Sequence, residues 1–285
     1  MAKAHVVPAT QRDLDYFGQR RWHDEQSSAL WKYIAYNAPN DAWVAKDAGD
    51  SIAIAIAHAL EEEWFLSELY VEPSFRGNGI GLQLLREVAR DAGEVVRSAL
   101  PQWSAHGALA FVLHRGLALN TPVIELRGEI PREDELLRMA SGDYRFATES
   151  IDLHVHRRSL DALDREIRGS ARPLDHHYFA RHAHGVAFLL RGEFVAYCYV
   201  WPNGRIGPMC ASSAAYSRQL FAFALAALHQ VYDARWCTVL VPGNNLRIMR
   251  AALTAGLRFE EGSIFASDGA ALDLSRYVGF HQLLF

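Results

Sequence analysis

The sequence lacks most features that assign a protein to a class at first sight, and cysteine is among the scarcest residues. Its three cysteines, Cys198, Cys210 and Cys237, are widely spaced and form no Cys-x-x-Cys pair. An odd, scattered set favours reduced structural thiols over a disulfide framework. No segment approaches the ~18 uninterrupted apolar residues of a membrane span, and no long apolar segment typical of a signal peptide stands at the start. We therefore expect a soluble, cytoplasmic protein with no membrane partner.

An excess of basic charge is also missing. Lysine and arginine number 29 against 33 aspartates and glutamates, which gives a net charge of -4. Such a chain has no overall positive field that would hold a polyanion by counterion release. The composition therefore argues against a nucleic-acid partner.

Metal-binding patterns are absent as well, despite 13 histidines. His154 and His156 stand two residues apart, and four more histidines lie between residues 176 and 184. A zinc site needs three or four convergent ligands, and neither a cysteine pair nor a His-Glu-x-x-His helix supplies the rest. We expect no bound metal.

Length and hydrophobic content indicate two domains. The chain has 285 residues, half of them hydrophobic, and a domain typically takes about 150 residues. Strand-like and helix-like segments recur in the order β-β-β-α-β-α at a spacing of about 145 residues, which indicates an internal duplication. We predict an α/β (α+β) fold with two domains, residues 1–141 and 142–285, each a mixed, mostly antiparallel sheet flanked by helices. The second domain is predicted to open with a strand at residues 151–155.

A glycine-rich loop between a predicted strand and a predicted helix carries the strongest chemical signal. Residues 76–81 read Arg-Gly-Asn-Gly-Ile-Gly. Successive backbone N–H groups at a helix N-terminus bind phosphate, and the positive end of the helix dipole assists them. Gly77, Gly79 and Gly81 let the backbone approach a phosphate, while Arg76 adds a charged donor. The loop is therefore a candidate site for a pyrophosphate.

Two other nucleotide-binding motifs do not fit this loop. The dinucleotide fingerprint Gly-x-Gly-x-x-Gly would require its third glycine at Leu82, and the Gly-Lys-Ser/Thr of a P-loop is missing. A tight turn without a ligand is the remaining alternative. It would make the protein a binding module with no phosphate ligand at this loop.

Residues 69–82, which read Leu-Tyr-Val-Glu-Pro-Ser-Phe-Arg-Gly-Asn-Gly-Ile-Gly-Leu, closely resemble the acetyl-CoA motif of the GCN5-related N-acetyltransferase (GNAT) superfamily. The resemblance includes the Leu-x-Val-x-Pro strand before the loop. Residues 108–117 look like the following helix of that family, with Gly116-Leu117 at the place of its terminal Gly-Phe. The likeness covers about residues 1–130 at the level of the fold.

The second half is similar to the degenerate C-terminal domain of tandem acetyltransferases of this superfamily. The likeness rests on residues 164–172, 204–208 and 245–257. The counterpart of the glycine loop, residues 207–213, contains no Arg-Gly-x-Gly. This difference implies one acyl-CoA site per chain, in the N-terminal domain. The apolar residues 277–285 predict either a buried final strand or a pairing with another chain.

The resemblance implies an activity and a set of binding residues. Acetyl-CoA would be the co-substrate, and its acetyl group would pass to an amine by direct attack in a ternary complex. In this family the fourth strand splays from the fifth, and its backbone pairs with the pantetheine arm. The cofactor site implied here consists of Leu69, Tyr70, Val71, Arg76, Gly77, Asn78, Gly79, Ile80 and Gly81. The acceptor is expected to be a small-molecule amine rather than a protein N-terminus or lysine, and the sequence leaves the oligomeric state open.

The reaction needs a base, because an alkyl amine with a pKa of about 10 is mostly charged at neutral pH. Strand alternation places Glu68 and Tyr70 on one face of their strand. A carboxylate there, among apolar and aromatic side chains, is expected to have a raised pKa. We predict Glu68 as the base, with Glu63 and His58 as alternatives.

The general acid is the point at which the resemblance fails. Many family members have a tyrosine at the position of Val112, and valine cannot donate a proton. Tyr70, His114 or a water molecule could protonate the leaving thiolate, and a thiol pKa of about 8.5 also allows it to leave unassisted. We predict Tyr70 as the second catalytic residue. The missing tyrosine also motivates an alternative function, a non-catalytic acyl-CoA-binding sensor or scaffold.

Overall fold

The computed structural model describes residues 4–37, 42–270 and 272–285. By their internal contacts the residues divide into two compact units. The first contains residues 1–100 with 282–284, and the second contains residues 101–281 with 285. Among the described residues, no helix combines the length and apolar character needed to cross a membrane.

The first unit contains five strands and three α-helices. In chain order they are β1 (His5–Pro8), α1 (Gln11–Arg21), α2 (Glu25–Asn37), β2 (Ala42–Asp47), β3 (Asp50–Ala59), β4 (Glu63–Val71), α3 (Ile80–Val88) and β5 (Val96–Ala99). The strands form a sheet in the order β1-β2-β3-β4-β5. Neighbours from β1 to β4 are antiparallel, whereas β4 and β5 are parallel.

The centre of this sheet is β3, where isoleucines at 52, 54 and 56 alternate with alanines. Its residues from Ile52 to His58 are all buried. Apolar side chains on both faces predict a strand covered on both sides, and this prediction is confirmed. On one face, Ile80, Leu84 and Val88 of α3 pack against the alanines of β3.

Polar contacts fix the start of α1 to the sheet. The position of this start determines where the last residues of α1 lie. Thr10 and Asp13 form a capping box at the N-terminus of α1, as the sequence around Thr10 predicts. Asp13 Oδ1 also accepts from Ser51 Oγ at 2.5 Å and pairs with Lys46 Nζ at 2.9 Å. Burial alone would raise the pKa of Asp13, but its hydrogen bonds to Ser51, Thr10 and Lys46 outweigh burial and lower it to about 2.

The second unit contains the remaining strands and α-helices. They are α4 (His106–His114), β6 (Ala118–Glu129), α5 (Glu133–Ala140), β7 (Phe146–Ser150), α6 (Leu153–Arg168), α7 (Pro173–His182), β8 (His184–Leu190), β9 (Glu193–Val200), β10 (Arg205–Ala211), α8 (Ser217–Tyr232), β11 (Trp236–Pro242), α9 (Leu246–Thr254), β12 (Arg258–Ser267) and β13 (Tyr277–Val278). Their sheet order is β12-β6-β11-β10-β9-β8-β7, and β13 pairs with β10. The hydrophobic core of the second unit forms between α8 and the central strands of this sheet.

The strand predicted at residues 151–155 is wrong. The strand β7 ends at Ser150, and α6 begins at Leu153. Asp152 caps this helix, because its side chain accepts from the backbone N–H of His154 at 2.8 Å. His154 and His156 therefore lie on a helix. His156 Nε2 contacts Glu149 Oε1 at 2.7 Å.

A network of charged and polar groups lies inside the second unit. Its centre is Asp164, which is fully buried. One carboxylate oxygen, Oδ2, accepts from Arg172 Nε at 3.0 Å and lies 3.0 Å from His176 Nε2, while Oδ1 accepts from Tyr197 Oη at 2.5 Å. Arg172 also donates to Tyr277 Oη at 3.2 Å. The network thus joins α6 and α7 to β9 and β13.

The boundary predicted at residues 141 and 142 remains a prediction. The two compact units are defined by contacts between residues, whereas the predicted boundary marks where one duplicated domain ends and the next begins. The division into units therefore does not test the predicted boundary. The duplication predicts that both halves contain elements in the same order. In each of the segments β4-α3-β5 and β10-α8-β11, a strand is followed by a helix and then by a strand parallel to the first.

Candidate active site

The glycine loop leads from β4 into α3. A short 3-10 helix, Pro73–Phe75, precedes it, and Gly79 is the residue before the first turn of α3. Gly77 and Gly79 adopt left-handed φ angles of 81° and 76°, and a Cβ added to either would meet no atom within 4 Å. The glycines therefore serve the turn and leave open space beside the backbone. The first N–H groups of α3 have no acceptor within the helix.

Two side chains brace this loop. Arg76 Nε donates to the carbonyl of Val71 at 2.9 Å, and Asn78 Nδ2 donates to the carbonyl of Phe75 at 3.2 Å. Both side chains are exposed. Arg76 has no carboxylate partner among the described residues. Its remaining N–H donors are therefore available for an anion next to the start of α3.

The end of β4 extends beyond Ala99, the last residue of β5, and we call this part of β4 its separated end. The two strands pair from Glu63 to Leu66, and beyond Leu66 no residue of β5 pairs with β4. A bulge opposite Ile56 and Ala57 inserts Ser67 at the same point. Among the residues that the structure describes, residues 68–71 of β4 are thus paired with β3 alone.

The backbone N–H groups in the separated end of β4 point alternately towards β3 and away from it. The N–H of Glu72 donates to the carbonyl of Ile52 on β3 at 2.9 Å, and the register continues through the pair Tyr70 and Ile54. Because backbone groups alternate along an antiparallel pair, the N–H groups of Leu69 and Val71 point away from β3. The amide of Tyr70 faces β3, so Tyr70 offers its ring rather than its backbone.

The side chains of Glu68 and Tyr70 lie together on one face, as strand alternation predicts. Arg21, the last residue of α1, joins them. Its Nη2 donates to Glu68 Oε1 at 3.2 Å and to Oε2 at 3.5 Å, and its guanidinium carbon lies 4.7 Å from the centre of the Tyr70 ring. Glu68 is 8% exposed, whereas the Arg21 side chain is 36% exposed. A buried carboxylate and an aromatic face therefore surround one cation.

The electrostatics of Glu68 suit a base. Burial raises its pKa above the ordinary glutamate value, and the charge and hydrogen bond of Arg21, with the amide of Leu69, offset that rise only in part. A raised pKa means that the carboxylate takes up a proton more readily.

Tyr70 is held differently. Its hydroxyl donates to Glu72 Oε2 at 3.1 Å, and Glu72 Oε1 pairs with Arg20 Nη2 at 3.2 Å. Partial burial, together with the hydrogen bond and charge of Glu72, raises the pKa of Tyr70. The phenol therefore keeps its proton and directs it at Glu72.

Four further residues are candidates for the base, for the acid or for the usual tyrosine position. Glu63 is buried at the opposite end of β4, where it accepts from Ser98 Oγ at 2.5 Å. His58, also buried, lies on β3 opposite Phe65, with its ring 6.3 Å from that of Tyr33. Val112 is buried in α4, and His114 is the exposed last residue of that helix.

The corresponding strands of the second unit also separate, but there the gap is filled. Parallel pairing of β10 and β11 covers only Arg205 and Ile206. Next to it, β13 pairs with β10 through Met209 and Cys210, and the N–H of Gly279 donates to the carbonyl of Leu240 on β11 at 2.8 Å. The C-terminal segment of the chain thus hydrogen-bonds to both separated strands, and residues 277–278 form a buried strand, one of the two predicted outcomes.

No metal cluster accompanies these groups. Among the described residues, no set of three or more histidines, cysteines, aspartates and glutamates could hold a metal ion. The cysteines Cys198, Cys210 and Cys237 are free and buried.

The sequence alone did not point to Arg21, Arg20 or Glu72. Arg21 and Glu68 are 47 residues apart. The adjacent pair Arg20-Arg21 at the end of a predicted helix was the only signal, and it also fits a cation placed against a helix dipole.

Comparison with known proteins agrees with this geometry. Residues 8–112 match the model of the acetyltransferase (GNAT) family. This match covers less than half of the chain, and over these residues the chain is similar to GNAT acetyltransferases. A search of curated proteins found no match to the chain.

Solved structures share the fold over nearly the whole chain. A putative acetyltransferase from Pyrococcus horikoshii has 13% sequence identity and a TM-score of 0.75, and the match covers 99% of this chain and 96% of that one. A tandem GNAT protein from the clavulanic acid biosynthesis pathway has 15% identity, a TM-score of 0.64 and coverages of 94% and 99%. A GCN5-related N-acetyltransferase from Sphaerobacter thermophilus has 13% identity, a TM-score of 0.64 and coverages of 96% and 99%. The predicted fold class is thereby confirmed, and at these identities the likeness concerns the fold alone.

Proposed function

We propose that this protein is an N-acetyltransferase that moves the acetyl group of acetyl-CoA to a primary amine on a small molecule, by direct attack in a ternary complex. The observation that carries the proposal is the separated end of β4, which runs directly into the glycine loop and the N-terminus of α3. An extended thioester arm needs unpaired strand backbone, and its pyrophosphate needs a helix N-terminus close by.

Each part of the first-unit site has a role in this proposal. The first amides of α3, at Ile80 and Gly81, would bind the pyrophosphate together with Arg76, with Gly77, Asn78 and Gly79 shaping the turn. The outward-pointing amides of Leu69 and Val71 would hydrogen-bond the pantetheine arm. The amide of Leu69, which hydrogen-bonds the Glu68 carboxylate, is our candidate donor to the thioester oxygen and would exchange that partner when acetyl-CoA binds.

The chemistry then follows from Glu68. An acceptor arrives as an ammonium ion and loses one proton to the Glu68 carboxylate. The neutral amine attacks the thioester carbonyl carbon, and the C–S bond of the tetrahedral intermediate breaks. The sulfur leaves as a thiolate, the new amide nitrogen gives up its extra proton, and water carries that proton to the thiolate, while Glu68 returns its own proton to solvent. The Tyr70 proton is directed at Glu72, so a thiolate that leaves unassisted or takes a proton from water agrees better with this arrangement than proton donation by Tyr70.

Arg21 gives a physical reason for an amine acceptor. Its guanidinium lies where a cation is stabilised by the Glu68 carboxylate and the Tyr70 ring together. Arg21 comes from the end of a helix and is partly exposed, so an ammonium ion could replace it against Glu68. In this proposal Arg21 stabilises the ionised carboxylate until the acceptor arrives.

A second candidate function is a non-catalytic acyl-CoA-binding sensor or scaffold. The observations that favour it are valine at position 112 and the engaged proton of Tyr70. Release of free CoA in the presence of any amine of a broad panel would exclude this alternative. Tight acetyl-CoA binding without turnover on the whole panel would favour it. We also propose a cytoplasmic location and no nucleic-acid partner, on the charge and composition already given.

The second unit should contribute no acyl-CoA site, because β13 and Gly279 occupy the hydrogen-bonding edges that a pantetheine arm would need. Its strand-to-helix connection also carries no Arg-Gly-x-Gly. This agrees with a degenerate second domain and with one site per chain.

Calorimetric titration of acetyl-CoA tests the location and number of sites. Wild-type protein is expected to bind with a Kd in the micromolar range and a stoichiometry of one. The double variant Arg76→Glu, Gly79→Trp is expected to bind acetyl-CoA at least about 100-fold more weakly. The first substitution removes a hydrogen-bond donor to the phosphate, and the second fills the space beside the loop.

The matched control is Arg12→Glu, Gly93→Trp. Gly93 has a left-handed φ of 69° and open space around it, like Gly79, and Arg12 is exposed on α1. This control should bind as the wild type does. Equal binding by the loop variant would rule out the loop as the site, and a stoichiometry of two would rule out a closed second unit.

The pH dependence of activity tests the role of Arg21. Without the guanidinium, only the amide of Leu69 opposes the effect of burial, and the pKa of Glu68 rises further. A base works only above its pKa, and Arg21 contacts Glu68 before the acceptor arrives, so Arg21→Ala should move the acid limb of the kcat/KM profile for the amine to higher pH and lower kcat/KM at neutral pH.

Arg20→Ala provides the control for this measurement, since Arg20 is the neighbouring arginine and pairs with Glu72 instead. Its acid limb should stay in the wild-type position. An unchanged acid limb in Arg21→Ala would show that Glu68 is not the group that titrates.

A further inference from the structure

A basic groove lies in the second unit, built from α5, α8 and α9. It encloses about 490 Å³. Four arginines line it, Arg138, Arg218, Arg247 and Arg250, with Glu135 as the single acidic side chain. The chain as a whole has a net charge of -4, so this concentration of positive charge runs against the overall composition. We call it the arginine groove.

Arg247 and Arg250 supply cations that no described residue neutralises. They lie one helical turn apart on α9, and both are exposed. Neither forms a hydrogen bond or an ion pair within the described parts of the chain. Like charges three residues apart repel and weaken a helix. The stability of α9 therefore does not explain why both positions are arginine.

Arg218 is fixed in place at the edge of the groove. Its Nε donates to the carbonyl of Met139 at 3.1 Å, and its Nη2 donates to the carbonyls of Arg138 and Ser141 at 3.1 and 2.9 Å. These bonds use the last carbonyls of α5 and leave the two N–H groups of Nη1 free. A guanidinium held in this way is preorganised for a further acceptor.

Arg138 and Glu135 partly neutralise each other on the α5 side. Arg138 pairs with Asp134 at 2.9 Å, and its Nη2 lies 3.9 Å from Glu135. The surplus charge therefore lies with Arg218, Arg247 and Arg250. Apolar contacts come from Met139, and Ala251 and Ala255 extend the apolar lining on α9.

We propose that the arginine groove binds a phosphorylated small molecule. Planar guanidinium groups match the oxygens of a phosphate in pairs, which a lysine ammonium does not. The volume suits a small ligand rather than a macromolecule. No aromatic side chain lines the groove, so a ligand with an aliphatic or sugar body fits it better than one with a base that must be stacked. All lining residues belong to the second unit, and the proposal stands independently of the acetyltransferase function.

Calorimetric titration of inorganic pyrophosphate tests the groove. The titration uses the full chain carrying Arg76→Glu and Gly79→Trp, so that the loop before α3 makes no contribution. Pyrophosphate is expected to bind with a Kd below the millimolar range. Adding Arg247→Glu and Arg250→Glu should weaken binding by about tenfold or more, because both substitutions replace a donor by a repelling carboxylate.

The control adds Arg158→Glu and Arg181→Glu instead, which change the net charge equally at exposed positions on α6 and α7. This control should bind as its parent does, and Arg247→Gln with Arg250→Gln repeats the test without charge reversal. Glucose 6-phosphate should bind where glucose does not. No binding by the parent, or equal loss in the control, would overturn the proposal, and thermal unfolding verifies that each variant is folded.

Discussion

Glu68→Gln is expected to give a protein that binds acetyl-CoA normally but transfers its acetyl group about 10²- to 10⁴-fold more slowly, the usual contribution of a positioned base. Glutamine has the same shape and can still accept a hydrogen bond from Arg21, which contacts Glu68 at 3.2 Å. It cannot take a proton from an ammonium ion. The loss should therefore appear in kcat, with acetyl-CoA affinity retained.

The same substitution should not lower the stability of the fold. The pKa of Glu68 is raised in the folded protein, so the folded state binds its proton more tightly than the unfolded state does. The stability that the protonated Glu68 contributes is fully present below the pKa of glutamate in the unfolded chain. It is lost as the pH rises through the pKa of Glu68 in the folded protein. At neutral pH the ionised carboxylate is a net cost, and the neutral amide removes it. We expect an equal or higher midpoint of thermal unfolding for Glu68→Gln, as is typical where activity and stability oppose each other.

Glu63→Gln is the comparison that separates the two carboxylates of β4. Glu63 lies at the other end of the strand, bound to Ser98, so its substitution should retain most of the transfer activity. Steady-state rates on the best amine of a panel, with acetyl-CoA binding and thermal unfolding measured in parallel, decide between them. If Glu63→Gln were the inactive variant, the base would be misassigned.

Asp164→Ala is expected to destabilise the second unit by about 3–5 kcal/mol, the range measured when one partner of a buried ion pair is removed. Asp164 and Arg172 are both fully buried, and the variant leaves the Arg172 guanidinium without its counter-charge. It also removes the acceptor for Tyr197 and the contact with His176. A loss of this size is a large share of the roughly 5–15 kcal/mol that stabilises a typical domain. Urea unfolding followed by circular dichroism measures it.

The acid response of the wild type should depend on the same group. Burial alone would raise the pKa of Asp164, but the charge of Arg172, the hydrogen bond and charge of His176 and the charge of Arg168 outweigh burial and hold it well below the usual range. A depressed pKa contributes stability above the unfolded value, near 4, and that contribution is lost as the pH falls towards the folded pKa. Asp164→Ala should therefore show a smaller loss of stability between pH 5 and acid than the wild type shows.

Asp161→Ala is the matched control, on the same helix and one turn earlier. Asp161 is 14% exposed and pairs with the exposed Arg157 at 3.8 Å, and a pair with one partner in solvent should contribute about 1 kcal/mol. A similar loss of unfolding free energy in both variants would mean that the buried network stabilises the second unit no more than the pair of Asp161 and Arg157 does. In the double variant Asp164→Leu, Arg172→Met the loss should be smaller than in Asp164→Ala, because no unpaired charge stays buried.

The sequence predicts local features of the site well, because they depend on local rules. The position of the loop, the start of α3 near Ile80 and the shared face of Glu68 and Tyr70 follow from glycine spacing and from the period of a strand. The role of β3 as a central strand follows in the same way, from isoleucines alternating with alanines. Whether the residues of the loop bind acetyl-CoA remains a prediction that the titration tests.

Contacts between distant segments could not be predicted in this way. No local rule brings Arg21 to Glu68, since that contact depends on how α1 is fixed at Asp13 and on how far it then extends. The error at residues 151–155 has a different cause. Five residues of alternating character fit a strand, but the capping hydrogen bond of Asp152 decides in favour of a helix. For residues 277–285 the apolar pattern left a buried strand and pairing with another chain as alternatives, and the contacts with β10 and β11 show which edges this segment covers.

The separated end of β4 has a further consequence for the behaviour of the purified protein. Strand edges with unpaired N–H and C=O groups are templates on which other chains add strands, and native proteins usually cover them. In the second unit β13 provides this cover permanently. In the first unit the cover would be the ligand itself, so acetyl-CoA would act as a solubility factor as well as a substrate. Protein concentrated without it should self-associate first, and adding the coenzyme should reverse the early, still soluble stage of that association.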